Sequence, residues 1–285
     1  MYANISRPIN PVVAECLQHL SQCATKLGLE FIVVGASARD LIFRNVFGID
    51  APRATLDVDL GIKVESWDRL REFTNALIGS KRFTQDNHTR HRLVYYQSGL
   101  PVDLIPFGGL ESPKGAIAWP PDGSPAMSTF GFAEALESSV KFKVGGAADV
   151  VVNLATPPAM ACMKFIAWGE RPEERATDAA DILFMAKYYG DAGNESALYD
   201  MAANEGTDES FDYEIASAKL LGRHMKKIAS GETIAAVLRI IRKAVNEGEY
   251  SRFVLATVPA GSDADFHEAK HARLVKAILE GIESD

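Results

Sequence analysis

The chain has 285 residues, 47% hydrophobic and 24% charged, which is room for one large domain or two of ordinary size. A formal net charge of −8 argues against a long non-specific grip on duplex nucleic acid, which needs a basic excess; a nucleotide, a small molecule or RNA on a local basic patch remains compatible. No stretch approaches the roughly 18 apolar residues of a membrane helix, residues 1–8 have no signal-peptide pattern, and Cys16, Cys23 and Cys162 lack CxxC spacing, so the expected setting is a reducing cytoplasm without a membrane partner.

In chain order, residues 10–28 read as a helix with Pro11 in its first turn and Gly28 as its stop. A short buried strand, 30–34, runs into Gly35, and residues 37–47 have helical spacing. After a loop from Gly48 to Thr55, residues 56–64 read as a strand, followed by a helix from Ser66 as N-cap to about Ile78. Strand-like pieces at 81–85, 91–97 and 101–107 follow, the last two joined by a turn at Gln97-Ser98-Gly99-Leu100. The Gly/Pro/Ser-rich stretch 108–128 reads as a surface excursion, and 140–144 and 150–154 as strands. Beyond Thr156-Pro157-Pro158 the pattern is helical: 158–168, 173–189, 195–204, 211–229, 231–247 and 264–282. The expected organisation is therefore α+β, a mixed sheet with flanking helices over residues 1–155 and a helical domain over 156–285.

Four groups of residues carry chemistry. Asp57 and Asp59 lie two apart in an apolar strand pattern, so both carboxylates share a face. Two such charges repel unless a cation lies between them, and Mg²⁺ favours carboxylate oxygens together with phosphates; the plainer alternative is a solvated edge strand. Asp103 stands alone among apolar strand residues, as a solvent-facing edge residue or as a third carboxylate able to take a proton from an attacking hydroxyl. Gly35-Ala36-Ser37, with Arg39 behind it, forms a strand–turn–helix junction that suits a phosphate. Lys164 sits among Met160, Met163, Phe165, Ile166 and Trp168, where it either snorkels or meets an anion such as a triphosphate, while Arg175, Asp178 and Asp181 share one helical face.

Gly35-Ala36-Ser37, Asp57-Val58-Asp59 and Asp103, in this order, resemble the polymerase-β-type nucleotidyltransferases. Together with Lys164 and Arg175-Ala176-Thr177-Asp178-Ala179-Ala180-Asp181, the set is similar to the AbiEii-type toxins of bacterial toxin–antitoxin systems, which include the mycobacterial MenT toxins; the resemblance covers about residues 30–190. It implies an α+β nucleotidyltransferase domain followed by a helical domain, transfer of NMP from an NTP to an acceptor hydroxyl such as a tRNA 3′ end, and a cognate antitoxin. It also implies Mg²⁺ or Mn²⁺ on Asp57, Asp59 and Asp103. Ser37 would touch the γ- or β-phosphate, Lys164 would neutralise the triphosphate, and Asp178 would be essential, with Arg175 and Asp181 in support. Gly35 and Arg39 are expected to line the nucleotide with them. Departures from the family pattern are Ala36 for a second glycine, Thr177 for a basic residue, and a longer interval between Gly35 and Asp57.

Two other functions compete. The acidic total suits transfer to a cationic small molecule, as in aminoglycoside nucleotidyltransferases, and a non-catalytic nucleotide-binding regulator would keep the turn without needing all three carboxylates. Arg223, His224, Lys226, Lys227, Arg239, Arg242 and Lys243 form a basic region that reads as a solvated surface or as a hold for an RNA end.

Overall fold

Short apolar segments produce the sheet, the outer ones buried in alternation and the central ones nearly throughout. In the computed structural model, residues 2–3, 5–55, 57–96, 98–145, 150–205, 211–258 and 264–284 are described. The chain divides into two compact units, Met1–Thr156 and Pro157–Asp285. The first contains β1 (Tyr2–Ala3), α1 (Pro11–Leu27), β2 (Glu30–Val34), α2 (Gly35–Asp40), β3 (Val58–Lys63), α3 (Trp67–Gly79), β4 (Phe83–Gln85), β5 (Arg92–Tyr95), β6 (Leu100–Phe107), β7 (Ala116–Ala118), β8 (Ala126–Ser128), α4 (Phe132–Glu137), β9 (Val140–Val144) and β10 (Val150–Leu154).

Eight of these strands form one mixed sheet in the order β1-β9-β10-β2-β3-β6-β5-β4. The pairs β2–β3, β5–β6, β4–β5 and β9–β10 are antiparallel; β3–β6, β2–β10 and β1–β9 are parallel. The central strands are buried on both faces: Phe31 to Val34 in β2, and Leu60 to Ile62 in β3, are all buried. α1 begins where the Asn10 side chain accepts from the Val12 N–H (2.9 Å) and stops at Gly28, whose φ of 63° is left-handed. It buries Cys16, Leu17, Leu20 and Ala24. The Ser66 hydroxyl caps α3 by accepting from Arg69 N–H at 3.3 Å.

The second unit is helical: α5 (Pro157–Glu170), α6 (Ala176–Tyr188), α7 (Glu195–Glu205), α8 (Tyr213–Ile228), α9 (Gly231–Glu247), α10 (Arg252–Leu255) and α11 (Ala264–Glu283). α5 is buried on nearly every side, from Pro157 to Trp168, so it forms the unit's axis rather than an amphipathic surface helix. α8 and α11 meet backbone to backbone at Gly222 and Gly281. A methyl group on Gly222 would overlap the Ile278 carbonyl, and one on Gly281 the Lys219 carbonyl. Among the described residues no helix is long and apolar enough to cross a membrane.

Several elements differ from the sequence expectation. The strand expected over 56–64 begins at Val58, with Asp57 in a bend before it and Leu56 outside the described residues. The helix expected over 37–47 begins at Gly35 and changes at Leu41 into a π-helical segment, Leu41–Val46, which buries Leu41, Ile42, Phe43 and Asn45. Within 108–128 the chain forms the small β7–β8 sheet. The helix expected from residue 173 begins at Ala176, and α4, α10 and β1 were not anticipated. Each is six residues or fewer, too short for a periodic signal. The turn expected at 97–100 includes Gln97, which lies outside the described residues.

Because no side-chain rearrangement can relieve a clash with a carbonyl, Gly222→Ala is expected to lower the unfolding free energy by on the order of 3 kcal/mol. Urea denaturation followed by circular dichroism measures this, and a loss below about 0.5 kcal/mol would show that α8 and α11 separate freely.

Candidate active site

Two paired strands bring the acidic side chains together. In the parallel β3–β6 ladder Asp59 stands opposite Asp103, and residues opposite one another share a face. Asp57, two positions before Asp59, supplies the third carboxylate. Asp57, Asp59 and Asp103 each offer an oxygen, and these atoms lie within 4.8 Å of one another. Asp103 is buried, whereas Asp57 and Asp59 are half-buried and reach solvent. β2 delivers Gly35 beneath them: it has a φ of 64°, and a methyl group there would overlap the Asp59 carboxylate. Glycine is therefore required twice, for its backbone angle and for the space Asp59 occupies.

A chain of hydrogen bonds runs from the core to Asp57. Arg39 is 0% exposed. Its Nε and Nη2 donate to Asp40 Oδ1 (2.8 and 2.6 Å), and Nη2 also donates to the Arg53 carbonyl at 3.1 Å. Asp40 Oδ2 accepts from the Thr55 N–H at 3.2 Å, and the Thr55 hydroxyl donates to Asp57 Oδ1 at 3.0 Å. The Arg39 guanidinium, expected from the resemblance to line a nucleotide, is buried against the protein and anchors the segment leading to Asp57. Ser37 is likewise buried, its hydroxyl donating to the Val34 carbonyl at 3.2 Å.

Two basic groups flank Asp103. Arg92 on β5 stands opposite it and donates from Nε to Oδ1 (2.7 Å) and from Nη2 to Oδ2 (2.8 Å); His91 Nε2 is 4.0 Å from Oδ2. The hydrogen bond to Asp103 holds the Arg92 guanidinium well above its ordinary pKa, against the opposing effect of partial burial. Nothing in the pattern of its own strand marks Arg92. The signal was present in the β5–β6 hairpin, whose register sets Arg92 opposite Asp103, but it needs strand pairing rather than strand pattern.

The second unit holds another cluster. Lys164 Nζ lies 2.6 Å from Asp178 Oδ1 and 2.9 Å from Asp181 Oδ2, and Arg175 Nη1 lies 3.5 Å from Asp178 Oδ2. Lys164, Asp178 and Asp181 are all buried. Burial alone would lower the Lys164 pKa, but Asp178 and Asp181 outweigh it and keep the ammonium charged above its ordinary range. Of the two readings its apolar neighbours left open, Lys164 meets an anion rather than snorkelling: a carboxylate pair in its own unit. Arg175, at the N-cap position of α6, is half-exposed.

The basic residues on α8 and α9 are mostly engaged locally. Arg223 donates to Ser284 Oγ (3.0 Å), Lys226 to the Ser284 carbonyl (2.6 Å), and Arg242 to Glu283 (2.7 Å), while His224 meets the Tyr189 hydroxyl (2.6 Å).

The first unit thus presents a mixed sheet with a carboxylate pair at the start of one strand, a third carboxylate on its parallel neighbour and a glycine turn beneath. The model of the nucleotidyl transferase AbiEii toxin family, described as part of a type IV toxin–antitoxin system, matches residues 20–272, and the chain belongs to that family. No curated protein matches the sequence. Solved structures with a similar course include an antigenic nucleotidyltransferase-like protein from Paracoccidioides brasiliensis (16% identity, TM-score 0.41, covering 70% of this chain and 91% of that one). ANT(2″)-Ia in complex with adenylyl-2″-tobramycin is 16% identical, with a TM-score of 0.36, covering 74% and 98%. The c-UMP-AMP synthase CdnE of Rhodothermus marinus is 10% identical, with a TM-score of 0.29, covering 98% and 94%. Likenesses this loose carry no further argument, and membership rests on the family match.

Two outcomes are expected here. Lys164→Met, which leaves two buried carboxylates without their cation, is expected to cost about 3–5 kcal/mol in urea unfolding. A melt unchanged from wild type would show that Asp178 and Asp181 do not depend on it. Gly35→Ala is expected to keep wild-type circular dichroism and lose about 10²-fold in nucleotidyl transfer as Asp59 is pushed aside; transfer within twofold of wild type would refute the contact.

Proposed function

We propose that this nucleotidyltransferase moves NMP from an NTP to an acceptor hydroxyl, with Asp57, Asp59 and Asp103 holding Mg²⁺ or Mn²⁺. The observation that carries this reading is the convergence of three carboxylate oxygens within 4.8 Å, arranged by the pairing of Asp59 with Asp103. An all-oxygen donor set of this charge suits a hard divalent cation. When bound, such a cation supplies charge neutralisation to the phosphates and to the leaving pyrophosphate.

The protein's own groups do the rest. Asp103 accepts the proton of the acceptor hydroxyl as that oxygen bonds to the α-phosphorus and the bond to pyrophosphate breaks. The Thr55 hydroxyl orients Asp57, and Gly35 gives Asp59 its room. Gly35 and Ser37 mark the junction beside which the phosphates lie, and Arg39 acts through Asp40 and Thr55. Asp178, Asp181 and Lys164 maintain the helical unit, with Arg175 as its half-exposed cation.

The acceptor we favour is a tRNA 3′ end, on the strength of the family resemblance, with the protein acting as a growth-inhibiting toxin countered by a cognate antitoxin. A cationic small molecule is the second reading, favoured by the net charge of −8.

Incubation with each labelled NTP, Mg²⁺ and either total tRNA or an aminoglycoside panel separates the two. Label on RNA is expected, and label on the drug alone would replace the first acceptor by the second. Asp59→Ala is expected to reduce transfer by at least about 10³-fold with an unchanged circular dichroism spectrum. Near-wild-type transfer by that variant would refute the assignment.

A further inference from the structure

One basic side chain is paired directly into the acidic row. Arg92 faces Asp103 across the antiparallel β5–β6 ladder, and Asp103 faces Asp59 across the parallel β6–β3 ladder, so the three share one face of the sheet. The Arg92 guanidinium spans both oxygens of Asp103 at 2.7 and 2.8 Å, the two-pronged geometry in which arginine grips a carboxylate most firmly. Its Nη2 also lies 3.9 Å from Asp57 Oδ2. Arg92 therefore reaches two of the three carboxylates assigned above to a divalent cation.

Guanidinium and metal ion cannot both act on Asp103 at full strength. They polarise the same two oxygens, whose remaining lone pairs are poorer donors while the fork is in place, and two cations separated by a few ångströms repel strongly beside a partly dry sheet face. Arg92 also has somewhere to go. Its side chain is 32% exposed, against 11% for Asp103, so a rotation can return the guanidinium to water with its charge hydrated. Lys164, buried between two carboxylates, has no such route.

Resting on the metal-binding reading of Asp57, Asp59 and Asp103, we propose that Arg92 is the resident counter-ion of this site: it holds Asp103 in shape and must yield its grip for a divalent cation to bind. Arg92 is thus a positioning residue that sets the threshold for metal binding. Its charge and its fork act separately. Lysine keeps the charge without the fork, and glutamine keeps hydrogen-bonding capacity without the charge.

The test is calorimetric titration of Mn²⁺ into the full-length wild type, Arg92→Gln, Arg92→Lys and Asp59→Asn, with thermal melts with and without Mn²⁺. Arg92→Gln is expected to bind Mn²⁺ about tenfold tighter than wild type and to gain more melting temperature from it. Arg92→Lys is expected to bind about threefold tighter, and it carries the test if the glutamine variant does not fold. Equal or weaker affinity in the folded Arg92 variants overturns the inference while leaving the metal reading intact. Absence of Mn²⁺ binding in wild type and variants alike overturns both. Asp59→Asn is expected to lose the binding, and its retention there would place the ion elsewhere and remove the inference.

Discussion

The site depends on the register of the parallel pair β3–β6. A slip of one residue would carry Asp103 to the opposite face of the sheet, because side chains alternate along a strand. The parallel geometry needs a long crossover, here α3, β4 and β5, and the last of these brings Arg92 back beside Asp103. The antiparallel pair β2–β3 fixes the other side: Val34 lies opposite Asp59, so the chain leaves β2 at Gly35 directly under that carboxylate. Glycine turn, carboxylate row and arginine all follow from how four strands, β2, β3, β6 and β5, are paired.

The two charged clusters invert one another. In the first unit two of the three acids share one guanidinium that reaches solvent. In the second, one ammonium is buried between two acids, and the desolvation cost of separating them fixes the set in place. Similar residue types thus stand partly open to solvent in one unit and shut away from it in the other.

That distinction limits what could be read from the residues alone. Asp57, Asp59 and Asp103 were legible because a carboxylate in an apolar strand pattern is conspicuous and strand periodicity gives its face. The long helices were legible from their caps and apolar spacing, as at Asn10, Pro11 and Gly28. Lys164, Asp178 and Asp181 were singled out, but spacing within one helix cannot say that a lysine on α5 will be met by carboxylates of α6. Arg92 escaped because its meaning lies in strand pairing. The inward course of Arg39 is not written in its spacing, because the Arg53 carbonyl reaches it only when the loop folds back.

That loop has a consequence for how the chain can vary. Both of its ends are moored, at Gly48 and Asp50 by the Arg7 guanidinium and at Arg53 and Thr55 by the Arg39–Asp40 pair. Only Ala51 and Pro52 span the interval between the moorings. Extra residues inserted there would bulge into water at small entropic cost without moving Asp57. Shortening the same interval would pull on Thr55 and through it on the carboxylate, so the segment tolerates growth far better than loss.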